Sequence, residues 1–348
     1  MNIQSSFFGK TKTSEDVTKY VLTNDSGCSI GIINYGGIIT DIHVPNKNGV
    51  IENVVFGHDN VLDYEEHSPY FGCITGRFAG RISNATFTIG QVSYGLPKNN
   101  GVNCLHGGVK GLDKVIWSAT EITEKESVAL SLNYLSPHLE EGFPGNLDLY
   151  VMYKWNNDNQ LSISYMATTD QETLLTLTNH TYFNLSGNLS GSILDHVLQI
   201  DADRFVEISP DAIPCGISEV EGTPFDFREG KKIGKDIGVD FEQLKNGLGY
   251  DHPFILNGKT NPQVSLCHEA SGRKITVSTD ETCLVCYTGN HLTNEMKIAG
   301  DTPIQHRGAV CLETQYYPDN ANFDLVPTYT LKANETYKHK TVFEFSVI

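Results

Sequence analysis

The sequence predicts an all-β fold, a large antiparallel β-sandwich with few short helices. Three observations point there: two-residue alternation of apolar side chains, turn-forming pairs between the alternating runs, and little 3.6-residue periodicity. Leu147, Leu149, Val151, Tyr153 and Trp155 share one face of a segment whose other face carries Asp148, Tyr150, Met152 and Lys154. After an Asn156-Asn157-Asp158-Asn159 turn, Leu161, Ile163 and Tyr165 repeat the pattern, a hairpin signature. Val128, Leu130, Leu132 and Tyr134 form another strand, and Tyr337, Thr341, Phe343, Phe345 and Val347 a C-terminal one. Among 32 glycines, many sit in Asn-Gly and Ser-Gly pairs that end such runs. Helical periodicity is confined to roughly Asp236 to Leu244 and one turn at Asp63 to His67.

No repeat, low-complexity tract or linker divides the 348 residues, so residues 1–348 are expected to form a single domain. The formal net charge is -17. No basic stripe is present to displace counterions from a phosphate backbone, which argues against nucleic acid as a partner. Like charge also disfavours an anionic membrane leaflet, and no run of 18 apolar residues spans a bilayer. Met1 to Ser6 lacks the basic-then-apolar pattern of a secretory leader. The eight cysteines are scattered, which fits reduced thiols and a cytoplasmic location. No obligate protein partner is implied.

Several motifs match by letters only. Gly27-Cys28-Ser29-Ile30-Gly31 spells a nucleophile elbow, but Ile32 to Ile39, directly after it, reads as strand and turn rather than helix. No phosphate-binding glycine loop opens a helix, so no nucleotide cofactor is expected. Cys283-Leu284-Val285-Cys286 is a lone pair inside an apolar strand. None of the 12 histidines shows metal-ligand spacing, so no metal is expected either.

Chemistry concentrates in a few segments. From Leu174 to Leu185, an alternating strand is expected. Leu175, Leu177, Phe183 and Leu185 lie on one side; Thr176, Thr178, His180, Tyr182 and Asn184 lie on the other. That second face suits a wet, ligand-binding groove, although an ordinary solvent-facing strand carries the same pattern. In Ala309-Val310-Cys311-Leu312-Glu313, four apolar residues run into a carboxylate. A buried glutamate is costly unless used, and burial raises its pKa toward the range of a general base; a glutamate that has reached the surface is the plainer reading. His106 precedes Gly107 and Gly108, where backbone can approach a ligand. Gly76 to Ile82 places Arg77 and Arg81 around small residues, and Asp251 sits in an aromatic turn.

Together these segments resemble the aldose 1-epimerases, or galactose mutarotases. The matching blocks are Gly76-Arg77-Phe78-Ala79-Gly80-Arg81-Ile82, Leu105-His106-Gly107-Gly108, Asn179-His180-Thr181-Tyr182-Phe183-Asn184-Leu185, Gly249-Tyr250-Asp251-His252, Tyr287-Thr288-Gly289-Asn290 and Leu312-Glu313-Thr314-Gln315. They fall in the family's order and span essentially the whole chain. Gly111 to Lys114 with Trp117, and Pro318-Asp319, add to the match. The resemblance implies the galactose mutarotase-like sandwich and interconversion of the α and β anomers of a free sugar, with no cofactor. It implies Glu313 as base and His180 as acid, with Arg81, His106 and Asp251 binding the sugar. Two positions depart from the common pattern. Gly80 stands where many members have Asn, and Val285 where many have Gln. Other readings are a non-catalytic sugar-binding module, an epimerase for a phosphorylated sugar or disaccharide, or a glycoside hydrolase using Glu313 with Asp251 as its two carboxylates.

Overall fold

The computed structural model describes residues 1–187 and 189–348. Three large sheets carry the fold: a five-stranded meander at the N-terminus, a nine-stranded sheet and a six-stranded sheet. The only helices of four or more residues among the described residues are Val61–Glu66 and Glu242–Asn246. The first starts at Asn60, whose side chain accepts the Asp63 N–H as a helix cap. The second is shorter and later than the periodicity suggested, because turn and bend backbone after a 3₁₀ turn at Ile233–Lys235 occupies its expected first half. No helix among the described residues is long and apolar enough to cross a membrane.

The alternating segments become strands as read. Leu147–Asn156 and Gln160–Thr169 form an antiparallel hairpin in which Leu149 faces Ala167 and Val151 faces Tyr165. Thr336–Val347 then pairs with Gln160–Thr169 on one side and Arg273–Thr279 on the other. The last long strand of the chain therefore lies in the middle of the nine-stranded sheet.

The main core forms between sheets. Leu149, Val151, Ile163 and Phe343 from the nine-stranded sheet pack in one cluster with Leu312, Leu284 and Phe254 from the six-stranded sheet. Ile30, Ile32 and Ile42 of the meander join the same cluster. Because side chains alternate, the other face of the six-stranded sheet carries Cys311, Glu313 and Gln315 on one strand, Val285 and Tyr287 on the next, and Asp251 and Pro253 on the third. This second face bears the site.

Two expectations need correction. Leu174 to Leu185 is not one strand. It breaks into Thr178–Asn179, paired to Ile74–Thr75, and Tyr182–Phe183, paired to Val310–Gln315. Its polar face lines the groove only in part: His180 and Tyr182 face the cavity, while Thr176, Thr178 and Asn184 are buried away from it. Asn184, for example, donates to the Gly191 and Gly308 carbonyls. Asp251 begins the strand Asp251–Ile255 rather than sitting in a turn. The strand after Gly27 is Ser29–Ile33 with no helix, and all eight cysteines are free.

Alternation has a measurable consequence. Leu149 is fully buried, whereas Met166, on the opposite face of the neighbouring strand, is 43% exposed. Leu149→Ala is expected to cost about 2–5 kcal/mol in urea unfolding, and Met166→Ser to stay within about 0.5 kcal/mol. Equal losses would contradict the assignment of faces.

Candidate active site

A cavity of about 310 Å³ opens on the outer face of the six-stranded sheet. Its floor is set by strand register. Glu313 lies directly opposite Val285, which lies opposite Pro253. One row along, Tyr182, Cys311, Tyr287 and Asp251 follow one another across four strands. Glu313 is thus held mid-strand by the pairing of Val310–Gln315 with Cys283–Tyr287, and is only 3% exposed.

His180 is fixed through its backbone. Its N–H donates to the Cys73 carbonyl at 2.9 Å, and its carbonyl accepts from Gly72 N–H at 3.0 Å. The ring stacks on Tyr182, with centroids 5.1 Å apart. Its Nε2 lies 3.5 Å from Glu313 Oε1, and its Nδ1 lies 3.5 Å from Cys311 Sγ. Burial keeps the Cys311 thiol protonated. The Cys311 sulfur accepts from Nδ1–H, which leaves Nε2, facing Glu313, free to take a proton.

His106 enters from a loop beside the short strand Cys104–Leu105, which pairs with Arg81–Ile82. It exchanges two bonds with Gly80. Its backbone N–H donates to the Gly80 carbonyl at 2.9 Å, and Gly80 N–H donates to His106 Nδ1 at 3.2 Å. An accepting Nδ1 leaves the proton on Nε2, so neutral His106 is a donor. Gly80 has φ +80°, which a glycine adopts without strain. The glycines after His106 serve backbone packing rather than ligand approach: a Cβ on Gly107 would lie 1.8 Å from the Gly76 carbonyl oxygen.

The two arginines of the first motif part company. Arg77 is buried and donates to Ser136 Oγ and to the Ser136, Pro137 and Pro144 carbonyls, a structural role. Arg81 lines the cavity, with its Nε donating to Asn100 Oδ1 at 3.0 Å. Glu313, His180, Arg81, His106 and Asp251 therefore all line one cavity. So do Gly80 and Val285. Ile208, Ala212, Pro214, Pro253 and Val285 give the cavity an apolar lining beside these polar groups. Sequence patterns did not single out Tyr70, which also lines the cavity from a loop with no periodicity to mark it.

Burial controls the charges. It pushes Glu313 well above the ordinary carboxylate range; the nearby Asp251 carboxylate adds to this and the Arg81 guanidinium opposes it. His180 is lowered to about 4 by burial. His106 is held well below the ordinary imidazole value by burial first, then by His180, Arg81 and Lys114. Asp251 is raised by burial against the pull of Arg81 and His291. With Glu313 raised and His180 lowered, the pair holds one exchangeable proton between two groups 3.5 Å apart. That is the equipment of an acid–base catalyst that works in both directions.

The same three groups, His106, His180 and Glu313, bring ligand atoms within 4.8 Å of one another. A metal-binding histidine usually donates its second ring nitrogen to an acceptor. His106 Nδ1 instead accepts from Gly80, so the nitrogen facing the cavity is already protonated. A second group, Asp195, His196 and His268, is arranged the same way. Leu185 N–H donates to His196 Nε2 and Ser271 N–H to His268 Nδ1, while the remaining ring nitrogens meet the Asp195 carboxylate. These donor sets fit hydrogen bonding better than metal ligation.

Comparison with known proteins accords with this site. The family model for aldose 1-epimerase matches residues 18–344. The galactose mutarotase of Bos taurus is 38% identical over 334 residues, covering 95% of this chain and 94% of that protein. The aldose 1-epimerase of Escherichia coli K12 is 32% identical, covering 93% and 94%. Among solved structures, a galactose 1-epimerase from Lactobacillus acidophilus superposes with a TM-score of 0.88 at 30% identity, covering 99% of each chain. An aldose epimerase homologue from C. elegans gives 0.87, also at 30% identity, covering 99% of this chain and 100% of that one. With a sandwich of the same topology, a family match over nearly its whole length and a buried carboxylate–imidazole pair in its cavity, this chain belongs to the aldose 1-epimerase family.

Proposed function

We propose that this chain interconverts the α and β anomers of free aldohexoses such as galactose and glucose, as one catalytic unit acting in cytoplasmic hexose metabolism. The observation that carries this reading is the Glu313–His180 pair, buried and 3.5 Å apart on the wall of a cavity of about 310 Å³. The substrate is a neutral, hydroxyl-rich ligand held by convergent polar groups.

Glu313 takes the proton from the anomeric hydroxyl while His180 delivers one to the ring oxygen. The C1–O5 bond breaks and an open-chain aldehyde forms. Rotation about C1–C2 presents the other carbonyl face. The C5 hydroxyl then adds to it, returning a proton to His180, and the new C1 oxygen takes one back from Glu313. The pair ends as it began. In the empty cavity, burial favours the proton on Glu313; sugar hydroxyls and the Arg81 guanidinium solvate the carboxylate and favour its transfer to His180. Arg81, His106 Nε2–H and Asp251 hold sugar oxygens. Val285 beside Glu313 offers no hydrogen bond, so a hydroxyl aimed at the apolar lining loses its partner, at a cost of about 1–3 kcal/mol. That weakens any demand for one particular hexose.

Polarimetry of freshly dissolved α-galactose and α-glucose tests the reading. The wild-type chain is expected to speed equilibration, and Glu313→Gln and His180→Asn to lose about 10²- to 10⁴-fold each. Full activity in the Glu313 variant would remove the base assignment, and a wild type inert on every aldose would favour a binding module.

The pH dependence follows from the pair. Activity needs one proton on two groups. It is lost on the acid side when His180 also takes a proton, and on the alkaline side when Glu313 gives its proton up. In kcat/KM, the acid limb is expected near 4 rather than 6.5, and the alkaline limb above the ordinary carboxylate range. An acid limb at 6.5 would mean that His180 is solvated in the free enzyme.

A further inference from the structure

His180 is surrounded by four rings, and one of these stands apart. Tyr182 and Tyr287 flank His180 at 5.1 and 6.2 Å, and His106 meets it edge-on at 5.3 Å. All three are buried. The fourth is Tyr70, whose ring lies 4.7 Å from His106 and 5.9 Å from His180. It is only half-buried, so it forms the boundary between the imidazoles and solvent. His106 and His180 behind it are 7% and 5% exposed.

The backbone holds this ring in place at some cost. Tyr70 has φ +68°, left-handed and unusual for a residue with a Cβ, worth on the order of 1–2 kcal/mol of strain. Such strain persists only where the surroundings over-determine it. Here four hydrogen bonds tie the segment 69–73 to the segment 179–182, and a fifth lies within the second segment. Tyr182 Oη donates to the Pro69 carbonyl at 2.9 Å, and Asn179 Nδ2 donates to the Gly72 carbonyl at 2.9 Å. Gly72 N–H donates to the His180 carbonyl, and His180 N–H donates to the Cys73 carbonyl. Thr181 Oγ1 completes the set by donating to Asn179 Oδ1, which orients that amide. These bonds fix the backbone on both sides of Tyr70 to the segment that carries His180. On the outside, the Lys114 ammonium lies 5.3 Å from the Tyr70 ring centroid and is paired with Asp113.

We propose that Tyr70 is a positioning residue of this enzyme: its ring roofs His180 and His106, and keeps water from the acid group while fixing its orientation. This rests on His180 acting as proposed above. The ring does the work, not the hydroxyl, because it is the ring that contacts both imidazoles. The charges facing His180 are Glu313 and, by way of protonation, His106; those facing His106 are Arg81 and Lys114, with Asp113 behind Lys114. The thiol of Cys311 and the phenols of Tyr182 and Tyr287 stay neutral through burial. Removing the roof leaves these charges in place and changes only the solvation of the imidazoles. Water stabilises imidazolium, so His180 then titrates at higher pH, and the acid limb of the rate profile moves up toward 6.5.

The test uses full-length Tyr70→Phe, Tyr70→Leu and Tyr70→Ala, each checked for cooperative unfolding. Mutarotation is followed across pH, and histidine titration is followed by NMR in the absence of sugar. Tyr70→Phe is expected to keep both the rate, within about threefold, and the wild-type titration. Tyr70→Ala is expected to lose about 10- to 100-fold in kcat with a smaller change in KM, and to show His180 and the acid limb shifted upward together; Tyr70→Leu is expected to fall between. If Tyr70→Ala, or Tyr70→Leu where the alanine variant does not fold, titrates like wild type, the roof is refuted. Loss in Tyr70→Phe equal to that in Tyr70→Ala would assign the work to the hydroxyl and also refute it. The NMR arm needs no turnover, so a wild type inert on every aldose overturns the proposed reaction without deciding the role of Tyr70.

Discussion

Everything in the site depends on the two-residue period of one sheet. Val310, Leu312 and Thr314 turn toward the interior, and Cys311, Glu313 and Gln315 toward the cavity. The neighbouring strand, Cys283–Tyr287, obeys the same rule in register, so Leu284 and Cys286 seal the core under Val285 and Tyr287. A slip of one residue in that pairing would exchange the carboxylate for a leucine and drive a charge into the densest part of the molecule. The core thus specifies the position of the carboxylate.

Such burial is expensive for a charged group and useful for a catalytic one. The protein keeps two oppositely inclined acids and bases close together in a dry place, so neither charges readily alone and a proton passes between them at small cost. Arg81 moderates the penalty on Glu313 without neutralising it by direct contact, while Gly80 dictates which nitrogen of His106 carries hydrogen. The outer loops supply polar orientation, and the sheet supplies a fixed floor.

Much of this was legible in the chain. Alternation such as Leu147 to Trp155 reports burial on one face directly, so the strands and the hairpin at Asn156 emerged as read. The site blocks were legible as short ordered motifs, and their five expected residues meet in one cavity. What stayed hidden was non-local. The polar run from Thr176 to Asn184 was expected to line a groove along its whole length, but only His180 and Tyr182 do. In the fold Asn184 is satisfied by the distant Gly308 carbonyl, and Thr176 Oγ1 accepts from the Tyr316 N–H. Arg77 and Arg81 looked equivalent, and only the approach of Ser136 and Pro144 makes the first structural. Tyr70 left no trace, since a loop residue's meaning lies in what the fold brings beside it.

The placement of Thr336–Val347 between Gln160–Thr169 and Arg273–Thr279 has a consequence for how the molecule is made. Synthesis delivers the two halves of the largest sheet first and the strand that joins them after both. Until then, each half presents an unpaired edge, a template for mispairing with another chain. The contacts that close the core are also among the most distant in sequence, which makes closure slow. Because Phe343 packs in the same cluster as Leu312, the floor under Glu313 is completed only when that strand arrives. Catalytic competence therefore waits on Thr336–Val347, which is made after every strand it joins.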